Sequence, residues 1–123
     1  MNGLIQLLRD RYQGKGNKRR SSRWPVVRAA HLEQQSECQG CGGTRSLEVH
    51  HEIPFSLAPS LELEPSNLIT LCEDEKFGIN CHLNLGHSGN YRAFNPNCRT
   101  DARIMRTRIE AARKQVRDAK RRK

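Results

Sequence analysis

Hydrophobic positions in this chain are sparse and fall into short periodic blocks, separated by turn-forming and charged segments. In Met1–Tyr12, Leu4, Ile5, Leu7 and Leu8 suffice for a short amphipathic helix. Gln13–Ser22 is Gly-rich, basic and aperiodic, and reads as a flexible linker. Pro25 at a first helical position, followed by Val26, Val27, Ala30 and Leu32, predicts a helix over 25–35 with Trp24 as its core anchor. Cys38-Gln-Gly-Cys41-Gly-Gly43 reads as a tight knuckle, because its glycines allow positive φ. Ser46–Glu52 alternates as a strand, with Leu47 and Val49 on one face. Pro54, Pro59 and Pro65 break regular structure and make 53–66 a loop. Leu68–Leu71 is a second short strand, antiparallel to the first, and a short helix starts near Asn80 and ends near Gly86 or Gly89. Thr100 or Asp101 caps a final helix. In it Met105, Ile109, Ala112, Val116 and Ala119 form one apolar stripe on a basic rod.

This pattern gives a small α+β domain with a thin core. With 123 residues, 35% hydrophobic and 5% aromatic, the chain has little apolar surface to bury and calls for a staple. Tyr91 and Phe94 are expected in that core, and His31 on a helix surface. Glu48, Glu52, Glu62 and Glu64 read as solvated, with Glu52 near enough to the chemistry to tune it.

Charge is distributed in three blocks. Residues 1–37 hold eight Lys/Arg against three Asp/Glu, residues 38–98 three against seven, and residues 99–123 eleven against three, for a net +9. Two basic arms around an acidic centre suit a polyanion, whose counterions are released on binding. Arg19, Arg20, Arg23, Arg106, Arg113 and Arg117 are the expected nucleic-acid contacts. There is no signal-peptide pattern and no apolar run of membrane-spanning length, so a reducing cytoplasm is expected, that of the host cell if the chain is phage-encoded. In that setting cysteines read as metal ligands before disulfides.

Cys38, Cys41, Cys72 and Cys81 can close a four-thiolate structural zinc site, with Cys98 as a spare thiol. The first pair has ligand spacing. Eight residues separate the second pair, so if that insertion displaces Cys81, the zinc takes a histidine or three thiolates. Histidines 50, 51 and 82 remain outside a filled zinc sphere and mark a second site. Neighbours on a strand point to opposite faces, so His50 and His51 divide the work, one imidazole binding metal and the other water.

Val49-His50-His51-Glu52-Ile53-Pro54, Asn67-Leu68-Ile69-Thr70-Leu71-Cys72 and Cys81-His82 follow one another in an order that resembles the HNH endonucleases, the ββα-metal nucleases. The resemblance covers residues 22–102 and extends to Ser22-x-Trp24-Pro25-x-x-Arg28, Gly86-His87 and Asn95-Pro96, similar to flanks of compact phage and mobile-element members. It implies a hairpin-helix core stapled by zinc and flanked by basic helices. It also implies His50 as ligand of a divalent ion, His51 as general base, Asn67 as the brace that orients the base, and His82 as the last ligand, with His87 its rival. The implied reaction is hydrolysis of a DNA phosphodiester, nicking or cutting, to 5′-phosphate and 3′-hydroxyl ends. Mg²⁺ is the first choice of ion, with Mn²⁺, Ni²⁺ or Zn²⁺ as competitors. The expected organisation is a basic N-terminal helix and linker over 1–21, a nuclease domain over 22–102 and a basic helix over 103–123, acting as a monomer or weak homodimer. The alternative is a non-catalytic zinc module that binds nucleic acid through its arms.

Overall fold

The computed structural model describes residues 19–122, so the expected helix over 1–12 and most of the linker lie outside the described residues. Helix α1 (Trp24–Gln34) starts with Pro25 in its first turn, where a missing N–H costs nothing. Strands β1 (Leu47–His51) and β2 (Leu68–Cys72) form a two-stranded antiparallel sheet, in which His50 faces Ile69 and His51 faces Leu68. Helix α2 (Cys98–Arg121) runs without a break through residue 102 to the basic end of the chain.

A bare hairpin is marginal in water, so its second edge and its faces must be covered. Gln35, just past the end of α1, does this for β2. Its Oε1 accepts the Thr70 amide at 2.7 Å and its carbonyl accepts the Thr70 hydroxyl at 2.8 Å. The Gln39 amide then donates to the Thr70 carbonyl at 2.9 Å. Every residue of β2 is buried.

The core joins Ile69, Leu71, Leu85 and Ala102 to Cys38, Cys41, Cys72, Cys81 and Cys98. Leu47, Met105 and Ile109 pack against its rim. Cys98, read as a spare thiol, is thus a fully buried core residue, and burial pushes its thiol up to about 12. Two arginines of α2 tie the helix to the sheet. Arg99 pairs with Glu52 at 2.9 Å and donates to the Ser66 and Leu68 carbonyls, while Arg106 donates to the Cys38 carbonyl and pairs with Glu37.

Four expectations about local structure change. The loop over 53–66 contains two 3₁₀ turns, Pro59–Leu61 and Pro65–Asn67, each opened by its proline. The short helix after Asn80 is a π turn over His82–Gly86 rather than an α-helix. Helix α2 begins at Cys98, after Asn97 and with no side-chain cap, because Asn95 rather than Thr100 or Asp101 organises the entry. Asn95 accepts the Asn97 amide and donates to the Leu85 carbonyl and Asp101. Finally, Glu62 is buried, not solvated. Its 3₁₀ turn carries it inward, to 3% exposure, where Arg20 meets it at 2.7 Å and the Ser21 amide at 2.8 Å.

Candidate metal centres and active site

The knuckle, the end of β2 and the start of the π turn bring Cys38, Cys41, Cys72 and Cys81 together, with sulfurs all within 4.8 Å of one another. Gly42 makes the turn that allows it, at φ 81°. All four side chains are buried. The Cys81 thiol hydrogen-bonds to Cys38 and holds it down at about 4, while the same contact pushes Cys81 up. Burial pushes Cys41 up as well. Four buried thiols crowded this closely resist losing their protons together unless a cation balances them, so the donor set fits a metal ion. The long insertion between Cys72 and Cys81 does not displace Cys81.

A second cluster lies beside the first. The ring nitrogens of His50, His82 and His87 lie within 4.8 Å of one another. Sequence reasoning sets His82 against His87 for one position, and the structure brings both together. The π turn is the reason. Residues five apart in an α-helix differ by roughly 140° around the axis, whereas the wider π turn returns them to one face. His50 comes from β1, 3% exposed, and its Nε2 is buried with no hydrogen-bond partner. Burial, then the neighbouring charges of His82 and His87, lower it to about 3, so its ring is neutral.

The outer nitrogens settle which atoms face inward. His82 Nδ1 lies 2.8 Å from Glu73 Oε1, and His87 Nδ1 lies 2.7 Å from the Ala93 carbonyl. Both partners accept only, so each Nδ1 carries a proton and each Nε2 of the neutral ring presents a lone pair. Those two Nε2 atoms are 3.2 Å apart. Two lone pairs that close repel each other unless a shared proton or a metal cation lies between them. With the orphaned Nε2 of His50, the three imidazoles suit a divalent ion, each outer ring braced as metal-binding histidines are. Tyr91, expected in the core, is 52% exposed, with its ring 5.1 Å from that of His87 and 5.7 Å from that of His82.

His51 points to the other face of β1, as strand alternation requires. Its Nε2 lies 2.9 Å from the Glu62 carbonyl, so the proton sits there and Nδ1 is the basic atom. Trp24 packs on the ring with centroids 4.6 Å apart. Burial lowers its affinity for a proton, partly offset by the Glu62 carbonyl. Asn67 braces the loop that supplies this carbonyl. Its Oδ1 accepts the Ile53 amide at 2.9 Å, and its Nδ2 donates to the Ile53 and Leu61 carbonyls at 3.1 and 3.2 Å.

Of the arginines expected at nucleic acid, Arg20 is paired with Glu62 and lies over Phe55 at 4.5 Å, and Arg106 is bound to Cys38, Glu37 and Glu110. Arg19, Arg23, Arg113 and Arg117 are exposed. Among the described residues no helix is long and apolar enough to cross a membrane.

Residues 38–88, from the knuckle through the third histidine of the cluster, match the family model described as HNH endonuclease. No curated protein and no solved structure matches the chain.

Proposed function

We propose that this protein is a metal-dependent DNA endonuclease in which His51 is the general base and His50, His82 and His87 hold the catalytic ion. The observation that carries the reading is the pairing of two neighbours on β1. His50 brings a buried ring, whose Nε2 has no hydrogen-bond partner, to two further imidazoles, while His51 keeps Nδ1 unprotonated by giving Nε2–H to the Glu62 carbonyl. Cys38, Cys41, Cys72 and Cys81 hold a structural zinc, which contributes folding free energy on the order of 10 kcal/mol to a core with few apolar side chains.

When bound at the three imidazoles, a divalent ion such as Mg²⁺ or Mn²⁺ supplies Lewis-acid stabilisation of charge developing on the phosphate and leaving oxygens. The chain's own groups do the rest. Asn67 holds the 53–61 loop, the loop holds the Glu62 carbonyl, and the carbonyl fixes the His51 tautomer. His51 Nδ1 then takes the proton from the attacking water, a role suited to a ring that burial keeps neutral at pH 7. Exposed arginines before and after the metal centres in the sequence draw in the phosphate backbone.

The test is plasmid nicking by wild type and by His51→Ala. The variant is expected to lose about 10²- to 10⁴-fold in rate while retaining DNA affinity and zinc content. Undiminished nicking by His51→Ala excludes it as the base, and a wild type that binds DNA without cutting it under any divalent ion favours the non-catalytic zinc module.

A further inference from the structure

The insertion between Cys72 and Cys81 places a carboxylate where neither the thiols nor the histidines require one. Glu73 follows Cys72 at the end of β2, and His82 follows Cys81 at the start of the π turn. The Glu73 amide donates to the Ser46 carbonyl at 2.8 Å, which fixes its backbone against the start of β1. Its Oε1 reaches His82 Nδ1 at 2.8 Å. Two adjacent pairs, Cys72 with Cys81 and Glu73 with His82, therefore join the same two chain segments side by side. Closing the thiol cluster brings the second pair into register.

We infer that Glu73 is a positioning residue for the three-histidine centre, orienting the His82 imidazole and fixing its tautomer so that Nε2 faces His50 and His87. Unlike the ring of His50, which is packed in the interior, that of His82 stands at the margin of the protein. A marginal ring has rotamer and tautomer freedom to lose on binding an ion, and a carboxylate on its outer nitrogen removes both in advance. His87 receives the same service from a main-chain carbonyl, which no substitution at Ala93 can delete. Among the described residues Glu73 is the one outer partner of this cluster supplied by a side chain. The arrangement also links the two centres, because the strand end that carries Cys72 carries Glu73, and the turn that carries Cys81 carries His82. Exchange of Cys72 or Cys81 disturbs the outer support of His82 without touching a histidine.

This inference rests on the three-histidine ion site proposed above, and the experiment separates the two. Zinc-loaded full-length protein is titrated calorimetrically with Mn²⁺ and with Ni²⁺, as wild type, Glu73→Ala, Glu73→Gln and His87→Ala, with zinc content and thermal midpoint recorded for each. Glu73→Ala is expected to bind the second ion about 10- to 100-fold more weakly, with zinc content unchanged. Glu73→Gln, whose amide oxygen accepts the same N–H, recovers most of that loss. In nicking assays at saturating ion the defect falls on kcat rather than on KM for DNA. Glu73→Ala binding as tightly as wild type overturns the role of Glu73 while leaving the ion site intact. A Glu73→Gln variant as weak as Glu73→Ala overturns the hydrogen bond as its basis. A wild type that takes up no second ion, or a His87→Ala variant that takes it up unchanged, overturns the ion site itself and this role with it.

Discussion

Gly86 lies directly against the imidazole of His50. A Cβ built at position 86 would stand 3.0 Å from His50 Cε1 and 3.1 Å from both ring nitrogens. His50 cannot retreat, because it is buried in β1 with Ile69 opposite. The π turn and the strand thus approach each other so closely that a Cβ at position 86 would require the His50 ring to shift by a few tenths of an ångström. Gly86→Ala is expected to tilt the His50 ring and weaken the second ion by about tenfold or more, in the range of outer-sphere disturbances. Zinc content should hold. Calorimetric titration of the zinc-loaded protein with Mn²⁺ reads the change.

Metal removal should separate the two centres by accessibility. A brief treatment with EDTA is expected to abolish nicking, and Mn²⁺ or Mg²⁺ to restore it, because the histidine site has two half-buried ligands while all four sulfurs are buried. Prolonged chelation at acid pH, where thiolates are protonated, should strip the sulfur site and unfold the domain. Nicking that survives EDTA would count against an ion in the reaction. Circular dichroism alongside the nicking assay distinguishes the two stages.

Glu62 gives the fold a specific acid sensitivity. Burial favours the neutral carboxyl, but the Ser21 amide and the Arg20 guanidinium outweigh it and hold the group below its ordinary value of 4.5. A depressed folded value means that the ionised form stabilises the protein above pH 4.5, and that this contribution disappears as pH falls through the lowered value. Glu62→Gln should therefore lower stability at pH 7 by about 1–3 kcal/mol, the cost of leaving a buried partner unsatisfied. The difference from wild type should vanish progressively below pH 4.5. Thermal melts of both proteins between pH 3 and 7 provide the comparison, and a constant difference across that range would remove Glu62 as the cause.

The basic end of α2 can be tested without disturbing the core. Met105 and Ile109 pack against the core and Arg106 clamps the knuckle, so a cut at residue 103 would mix folding with binding. Truncation after Ala111 preserves those interactions and removes Arg113, Lys114, Arg117, Lys120, Arg121, Arg122 and Lys123. DNA affinity is expected to fall, and the slope of log affinity against log salt to shrink by about 0.9 for each phosphate that is no longer neutralised. A titration across salt concentrations measures it. An unchanged slope would place the DNA grip elsewhere.

Much of the scaffold is legible in the sequence, because it depends on local rules. The alternation of Leu47 and Val49, the run from Leu68 to Leu71 and the glycine knuckle each predict an element that forms. The four thiols are legible because Cys38-x-x-Cys41 carries ligand spacing and two further cysteines are left to complete it. The third histidine reads as a rival rather than a partner because a five-residue spacing is not an α-helical neighbour spacing. Only the π turn makes it one. Glu62 reads as solvated because nothing in Leu61-Glu62-Leu63 signals that a 3₁₀ turn points the carboxylate inward, toward an arginine forty-two positions earlier. Tyr91 reads as core from its type alone, while its place beside the histidines depends on the tight turns after Gly86. Glu73 is invisible in the sequence for a similar reason, since its partner lies across the insertion that makes the cysteine spacing look irregular.

The π turn has an evolutionary corollary. An α-helical turn with three intervening residues sets two side chains on one face, and a π turn does so with four. The chain between His82 and His87 can therefore shorten by one residue and keep the imidazoles together, provided the turn tightens to α at the same time. Homologous proteins should alternate between these two solutions. A single-codon indel here is a neutral step between geometries, where elsewhere in a helix it would rotate everything downstream.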